Sequence, residues 1–321
     1  MAALSPRHRP VQGENAAVEH SNPSSTPRAL GLDAGGTQTR WAVAQADGQV
    51  LAEGHVAGFS ALQLASGEGR AALQALLLGV AQAGGPVQRV AAGMTGFDAQ
   101  QSGLVAGLIA DGLGVEASAV QTLTDIELAF HAAFQPGHGI VVYAGTGSIA
   151  AHVDALGAMH RAGGRGAVID DAGGGHWIAR EALRNVWRAE DERPGASQQL
   201  ALGRALAAQV GGNDWAATRQ WVYGATRGEL GLLAQAVARA AHEGDADALH
   251  ILRAAGAELA RLALALLKRL GAQPVALAGR VFDLHPLIED TLRAALPTPP
   301  ARSTLPAHHA AARIAARGLC P

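Results

Sequence analysis

The chain has one cysteine and one lysine among its 321 residues. The cysteine, Cys320, stands next to the C-terminus. No disulfide can close within the chain, and a four-cysteine zinc site or an iron–sulfur cluster has no internal ligand set. The lysine, Lys268, falls in the apolar-periodic run Leu262–Leu270 with no glycine loop before it. P-loop nucleotide sites, protein-kinase sites and Schiff-base enzymes all need a well-placed lysine, so these three classes are disfavoured. An excess of one charge is also lacking: Lys+Arg 25 against Asp+Glu 27 gives a net charge of −2. Nothing there holds nucleic acid or an anionic membrane, and neither is expected as a partner. No uninterrupted apolar run reaches about 18 residues, so no membrane span is expected. Arg7 and Arg9 make a weakly basic start with no apolar stretch after it, which does not read as a signal peptide. A cytoplasmic location is the default expectation.

What is present is an ordinary globular composition, 49% hydrophobic and 16% charged. The length suits two domains of roughly 100–200 residues each. Residues 1–27, rich in Pro, Ser, Asn and His, read as a disordered tail. Strands are expected at Ala29–Asp33, Thr39–Gln45, Val50–Val56, Val87–Met94 and Val120–Thr124, with an Asp47–Gly48 hairpin turn after the second. Helical spacing marks Arg70–Ala83, Gln101–Leu113 and Glu127–Phe134. The pattern then restarts. Gly139–Ala144 and Ile149–Val153 flank Gly145-Thr146-Gly147, just as the first two strands flank Gly35-Gly36-Thr37. We read this as an internal duplication, although any two such hairpins look partly alike. Residues 176–270 read as helical: Trp177–Ala189, Gln198–Val210, Asp214–Val222, Leu230–His242 and Ala246–Leu270. Pro274–Ala278 reads as a buried strand, Pro286–Leu296 as a helix, Leu296–Pro306 with its four prolines as a linker, and Ala307–Arg317 as a last helix.

Glycine-rich turns straight after strands carry the chemistry. They let backbone N–H groups approach an anion closely, and a threonine hydroxyl beside them can donate to a phosphate. Two such turns occur, with Thr37 and Thr146. A third glycine segment, Gly163-Gly164-Arg165-Gly166, leads to Asp170-Asp171 and Gly173-Gly174-Gly175. The spacing Gly145-x-Gly147-x-x-Ala150 loosely fits a dinucleotide fingerprint, but a hairpin rather than a helix is expected after it, so a nicotinamide or flavin enzyme ranks low. Carboxylates at strand ends are the second signal. Asp33 precedes the first turn, Asp125 ends a strand, and Asp171 lies in a glycine bed. A magnesium–nucleotide site needs a carboxylate for the metal, and phosphoryl transfer to a hydroxyl needs one that takes up its proton. The competing role for Asp125 is that of N-cap for the helix after it.

The ordered set LGLDAGGTQTR (30–40), Thr124-Asp125, VYAGTGS (142–148), Gly163–Gly166 with 171–179, and VALAGRVF (275–282) resembles the N-acetylglucosamine kinase-like proteins of the BadF/BadG/BcrA/BcrD ATPase family. That family belongs to the actin-like superfamily. The resemblance runs from about Leu30 to the C-terminus. It implies an α/β, two-lobed actin-like ATPase fold of ribonuclease H type, with a duplicated core and an interlobe cleft. On that fold the chain divides into a tail 1–27, an N-terminal lobe 28–135, a C-terminal lobe 136–306, and a helix 307–321 returning to the N-terminal lobe.

By the resemblance, Gly35, Gly36 and Thr37 form the first phosphate loop and Gly145, Thr146 and Gly147 the second. Gly279 lies at the adenosine site, Asp33 beside Mg2+ through water, and Asp125 is the catalytic base. Asp171 bonds sugar hydroxyls within a bed that includes Gly164, and Thr95 and Gly96 line the sugar site. ATP and Mg2+ are the implied cofactors, a small sugar or amino sugar the substrate, and a homodimer the expected assembly. Two departures stand out. The chain reads Gly58-Phe59-Ser60-Ala61-Leu62 where those kinases carry a sugar-contacting Asn, and Arg165 stands where they carry a Trp. An arginine there suits an anionic substrate group, or merely tethers the loop. An activator ATPase bridging a dimer with a cysteine-ligated cluster would have only Cys320, and a degraded, non-catalytic binding protein would not need Asp33, Thr37, Asp125 and Thr146 intact.

Overall fold

A computed structural model describes residues 26–36 and 38–319. The expected tail up to residue 25, Thr37 of the first turn and Cys320 lie outside the described residues.

Two five-stranded mixed sheets form the core. The first runs β3 (Val50–Ala57), β2 (Gln38–Gln45), β1 (Arg28–Ala34), β4 (Arg89–Met94), β5 (Val120–Thr124). The second runs β8 (Met159–Gly163), β7 (Ser148–Val153), β6 (Ile140–Ala144), β9 (Val275–Ala278), β10 (Ala301–Arg302). In both, the first three strands in chain order form an antiparallel meander and the last two add in parallel beside the first. The two sheets therefore share one topology, and the duplication read from the two glycine turns extends to every strand.

Helices α1 (Gly67–Gly84) and α2 (Ser102–Leu113) cover one face of the first sheet. Seven helices lie between β8 and β9: α4 (Gly175–Glu192), α5 (Ala196–Gln199), α6 (Ala201–Val210), α7 (Trp215–Gly224), α8 (Arg227–Leu232), α9 (Ala234–His242) and α10 (Ala246–Leu270). With α11 (Pro286–Ala295) they build the largest core cluster, on the second sheet. The remaining two helices cross over. α3 (Asp125–Ala133) follows β5 but buries Ile126, Ala129 and Phe130 against Val141, Ala151 and Val153 of the second sheet. α12 (Ala307–Arg317) follows β10 but buries Ala310, Ala311, Ala312 and Ala315 against Ala29, Ala42, Ala44 and Ala91 of the first.

Several elements differ from the sequence reading. The run Leu296–Pro306 is not only a linker, since it holds β10, a two-residue strand paired with β9. So short a strand between prolines leaves no alternation to read. β8 was not expected at all, because its sequence MHRAG is only half-buried and not alternating. The helix expected over Gln198–Val210 breaks at an extended Leu200, where Asp245 accepts from the freed Leu202 N–H at 3.0 Å. That over Leu230–His242 breaks into α8 and α9 at Leu233. Among the described residues no helix is long and apolar enough to cross a membrane.

Alanine-rich α12 approaches β1 so closely that a Cβ on Gly31 would overlap the Ala312 nitrogen and the His308 carbonyl. Gly31→Ala must therefore push α12 off the sheet or strain β1. We expect a loss of about 1–3 kcal/mol in urea unfolding, with early hydrogen exchange confined to α12 and β1. Unchanged stability would mean that the close packing is not needed.

Candidate active site

Three parallel strands of the first sheet end at one edge. Asp33 pairs with Gly93 and Ala34 with Met94 across β1 and β4, and Met94 pairs with Thr124 across β4 and β5. Asp33, Thr95 and Asp125 thus leave the sheet side by side. Gly93 is required for this arrangement: a Cβ there would sit 2.5 Å from the Leu128 side chain, so a larger residue would lift α3 and the aspartate at its head.

Thr95 ties the edge together. Its N–H donates to Ala34 O at 2.9 Å, its carbonyl accepts from Ala61 N–H and from the Ser60 hydroxyl at 3.0 Å each, and its hydroxyl donates to Asp125 Oδ2 at 2.9 Å. Phe59 N–H donates to Gly35 O at 3.0 Å, which joins the first glycine turn to the same network. Gly96 has φ +74 and lies against Ser60 and Leu62, so the segment that departs from the family pattern packs directly on the Thr95–Gly96 turn. Gly36, at the tip of the first turn, is exposed.

The N-cap of α3 is Thr124, whose hydroxyl accepts from Glu127 N–H at 3.1 Å while Glu127 bonds back to Thr124. The cap considered for Asp125 is therefore filled by its neighbour. The sequence signal was present in Thr124-x-x-Glu127, a capping box one residue earlier. Asp125 is the first helical residue. It accepts from Thr95 on one oxygen and from Ile126 N–H, at 2.9 Å, on the other. Burial raises its pKa above the ordinary aspartate value, and these two hydrogen bonds only partly oppose that. Asp33 is pushed up to about 6, first by burial and then by the charge of Asp125, with Arg40 opposing.

The second lobe presents the other glycine turn. Gly145 N–H closes onto Gly147 O at 2.9 Å. The N–H groups of Gly175 and His176, at the start of α4, donate to Gly145 O at 2.8 Å and Thr146 O at 3.0 Å. The turn is thus bolted to a helix N-terminus, and Thr146 is exposed at its tip. Gly279, with φ +99, ends β9 so close to Ala144 that a Cβ would overlap the Ala144 carbonyl.

Asp171 is buried, in a left-handed conformation at φ 58. It is ion-paired with Arg227 and accepts from Gly166 N–H at 3.0 Å. It lies against Gly147, so the structure joins it to the second glycine turn, and both its oxygens have partners within the chain. Gly163 and Gly164 have packing reasons of their own, because Cβ atoms there would press on Leu262 and Ile149. Arg165 is exposed on the same segment.

Three groups escaped the sequence reading. Tyr143, inside VYAGTGS, packs from β6 beside Ile126, Ala129 and Phe130 of α3. Burial first, and then Asp125 and Asp33, push its hydroxyl up to about 12, while Arg280 and Arg40 oppose. Arg280 lies within VALAGRVF, but nothing in the motif marks its charge as near the site. Arg227 reaches Asp171 from 56 residues away, with no local signal to find it by.

Two desolvated carboxylates, with the charge of Asp125 raising the pKa of Asp33, form the oxygen donor set that a hard divalent cation takes. The residues therefore fit Mg2+, with Asp33 and Asp125 nearest to hold it or its waters. Without a cation, the sign of the electrostatics is fixed. A folded-state pKa above the unfolded value stabilises the fold below the unfolded pKa, near 3.8 for Asp33, and that stability is lost as pH rises through about 6. Asp33→Asn removes the penalty. In metal-free buffer at pH 8 we expect the variant to unfold about 1–3 kcal/mol later than the parent, with the gap closing towards pH 4 in melts run across the range. A gap independent of pH would show that Asp33 is not a strained carboxylate.

The chain matches the BadF/BadG/BcrA/BcrD ATPase family over residues 30–298. It is 25% identical over 236 residues, 72% of this chain and 76% of the relative, to an N-acetylmuramic acid/N-acetylglucosamine kinase of Clostridium acetobutylicum. A solved structure provisionally assigned as an N-acetylglucosamine kinase, from Chromobacterium violaceum, superposes with TM-score 0.70 at 28% identity, covering 90% of this chain and 99% of that one. A ROK family glucokinase from Streptomyces griseus, solved with glucose and AMPPNP, shares the fold at TM-score 0.55 and 18% identity, over 91% and 98% of the two chains. The expected two-lobed actin-like fold is thereby borne out, and the chain belongs to the BadF/BadG/BcrA/BcrD ATPase family.

Proposed function

We propose that the protein is an ATP-dependent kinase of a sugar or amino sugar, with Asp125 as the general base. The observation that carries this reading is the state of Asp125. It is half-buried, poised by the Thr95 hydroxyl, and released from capping by Thr124. Burial raises its proton affinity, which brings a carboxylate nearer to the pKa an effective base needs at neutral pH.

The hydroxyl proton of the sugar passes to Asp125 as that oxygen bonds to the γ-phosphorus and the bond from that phosphorus to the leaving ADP oxygen breaks. Thr95 holds Oδ2 in place, and Gly96 and the Ser60–Leu62 segment beside it line the acceptor side. The backbone N–H groups of Gly36 in the first glycine turn and of Thr146 and Gly147 in the second, which have no backbone hydrogen-bond partner among the described residues, serve the phosphates, and Gly279 leaves room for the nucleoside. When bound, Mg2+ supplies positive charge to the transferring phosphoryl group. The chain has no second lysine to do so, and full turnover in excess chelator would contradict the reading. α3, packed between the sheets, lets the lobes close around the reactants and exclude water. A homodimer belongs to the same proposal, and sedimentation equilibrium of the full chain checks it.

The relatives' names point to amino sugars, one of them carrying a carboxylate. Arg165, exposed on the segment that ends at Asp171, is placed to pair with such a group. A panel of N-acetylglucosamine, glucosamine, glucose and N-acetylmuramic acid should show phosphorylation of at least one amino sugar. Arg165→Ala should raise KM for the acidic sugar alone; an equal effect on all sugars would make Arg165 a loop tether.

The decisive variant is Asp125→Asn, which keeps the shape and loses the basicity. We expect kcat to fall by about 10²–10⁴, with ATP and sugar binding retained by calorimetry. Near-normal turnover of a folded variant would remove Asp125 from the chemistry.

A further inference from the structure

Glu53, His308 and His309 converge on the outer side of the first lobe. β3 is an edge strand whose alternate residues face outward, and Glu53 is one of them, opposite Ala42 of β2. α12 lies on the same face, its Ala312 buried against Ala42 and Ala44. His308 and His309 are in its first turn. His308 Nε2 is 3.3 Å from Glu53 Oε2, and His309 Nε2 reaches the same oxygen. The three ligand atoms all lie within 4.8 Å of one another. The imidazole rings are edge-to-face, their centroids 4.5 Å apart.

An ordinary ion pair does not account for this cluster. His308 is only 7% exposed. Its Nδ1 is buried with no partner among the described residues. Moving the proton from Nε2 to Nδ1 therefore forfeits no hydrogen bond there and frees the Nε2 lone pair. A site carrying one carboxylate and two imidazoles is poor for Mg2+ or Ca2+, which select oxygen and charge. It suits a borderline cation that values nitrogen ligands.

We propose that Glu53, His308 and His309 form a three-ligand site for a divalent d-block cation of the zinc or nickel class, with water completing the shell. The bound ion ties the start of α12 to the edge strand β3. Because α12 is the last described helix and covers β1 and β2, the tie fastens the C-terminal end of the chain to the first sheet. The site is separate from the Asp33–Asp125 pair and does not depend on the kinase reading.

The test uses the full chain without an affinity tag, stripped by chelator and held in excess Mg2+. Zn2+ titrated by calorimetry should bind at one equivalent per chain with a Kd of about 10 µM or tighter. Co2+ should give the intense visible absorption of a low-coordinate nitrogen site. Glu53→Gln and His309→Ala each lose a direct ligand, and each should weaken binding by at least about tenfold. Zn2+ should raise the Tm of the parent but not of these variants. His160→Ala, which breaks the separate Asp154–His160 surface pair, should bind as the parent does. Sugar-dependent ATP turnover in Mg2+ should be the same in parent and Glu53→Gln, so failure of the metal site and failure of the kinase reading are told apart. No one-to-one binding, or binding unchanged in both ligand variants, would overturn the proposal.

Discussion

Two aspartates that repel each other across a desolvated strand edge set the terms for the rest of the molecule. Asp33, in β1, and Asp125, at the head of α3, are 92 positions apart in the sequence, and the charge of Asp125 raises the cost of ionising Asp33. Burial alone would favour replacing either by a neutral residue. The chain instead spends the Thr95 hydroxyl and the Ile126 amide of α3 on hydrogen bonds to one of them, and leaves only the charge of Arg40 to help the other. Two like charges brought together in this way are not a structural ion pair, and the proposed function draws on that strain.

The duplicated topology explains where that strain can be placed. Each sheet carries a glycine turn between the first two strands of its meander, at the equivalent place in the shared topology. The crossing helices turn two domains into one machine. α3 starts at Asp125 yet packs on the second sheet, and α12 starts after the second sheet yet packs on the first. A carboxylate at the head of a helix shared by both sheets senses their relative position directly. Tyr143 joins the second sheet to the same region, packing beside α3 while the charges of Asp125 and Asp33 raise its proton affinity.

Much of this was legible in the sequence because local rules and global fold agree. The long helix Ala246–Leu270 is read to its last residue, between an Asp245 cap and Gly271. The duplicated turns are visible because glycine is needed twice for the same reason. What was illegible is non-local. β10 is a strand only because β9 offers it an edge, and Arg227 meets Asp171 only because α8 folds back on the second turn. The glycines at 163 and 164 read as ligand-binding, yet each has a neighbouring side chain that leaves no space for a Cβ. The capping role considered for Asp125 failed by one residue, and Thr124 with Glu127 was the better box in the sequence itself.

The position of Asp125 sets two effects against each other. At the first turn of a helix, the backbone dipole favours the carboxylate by about 0.3–1 kcal/mol when solvent-exposed, and two hydrogen bonds act in the same direction. Desolvation opposes all three and prevails, since the net shift is upward. The balance is therefore set by how dry the cleft is rather than by the helix. Under the proposed function, closure of the lobes over α3 would remove more water and weight desolvation further, with the Thr95 bond kept. Asp125 acting as the base would then be weakest in an open, hydrated site and strongest in a closed one, its proton affinity rising when a bound hydroxyl is there to act on.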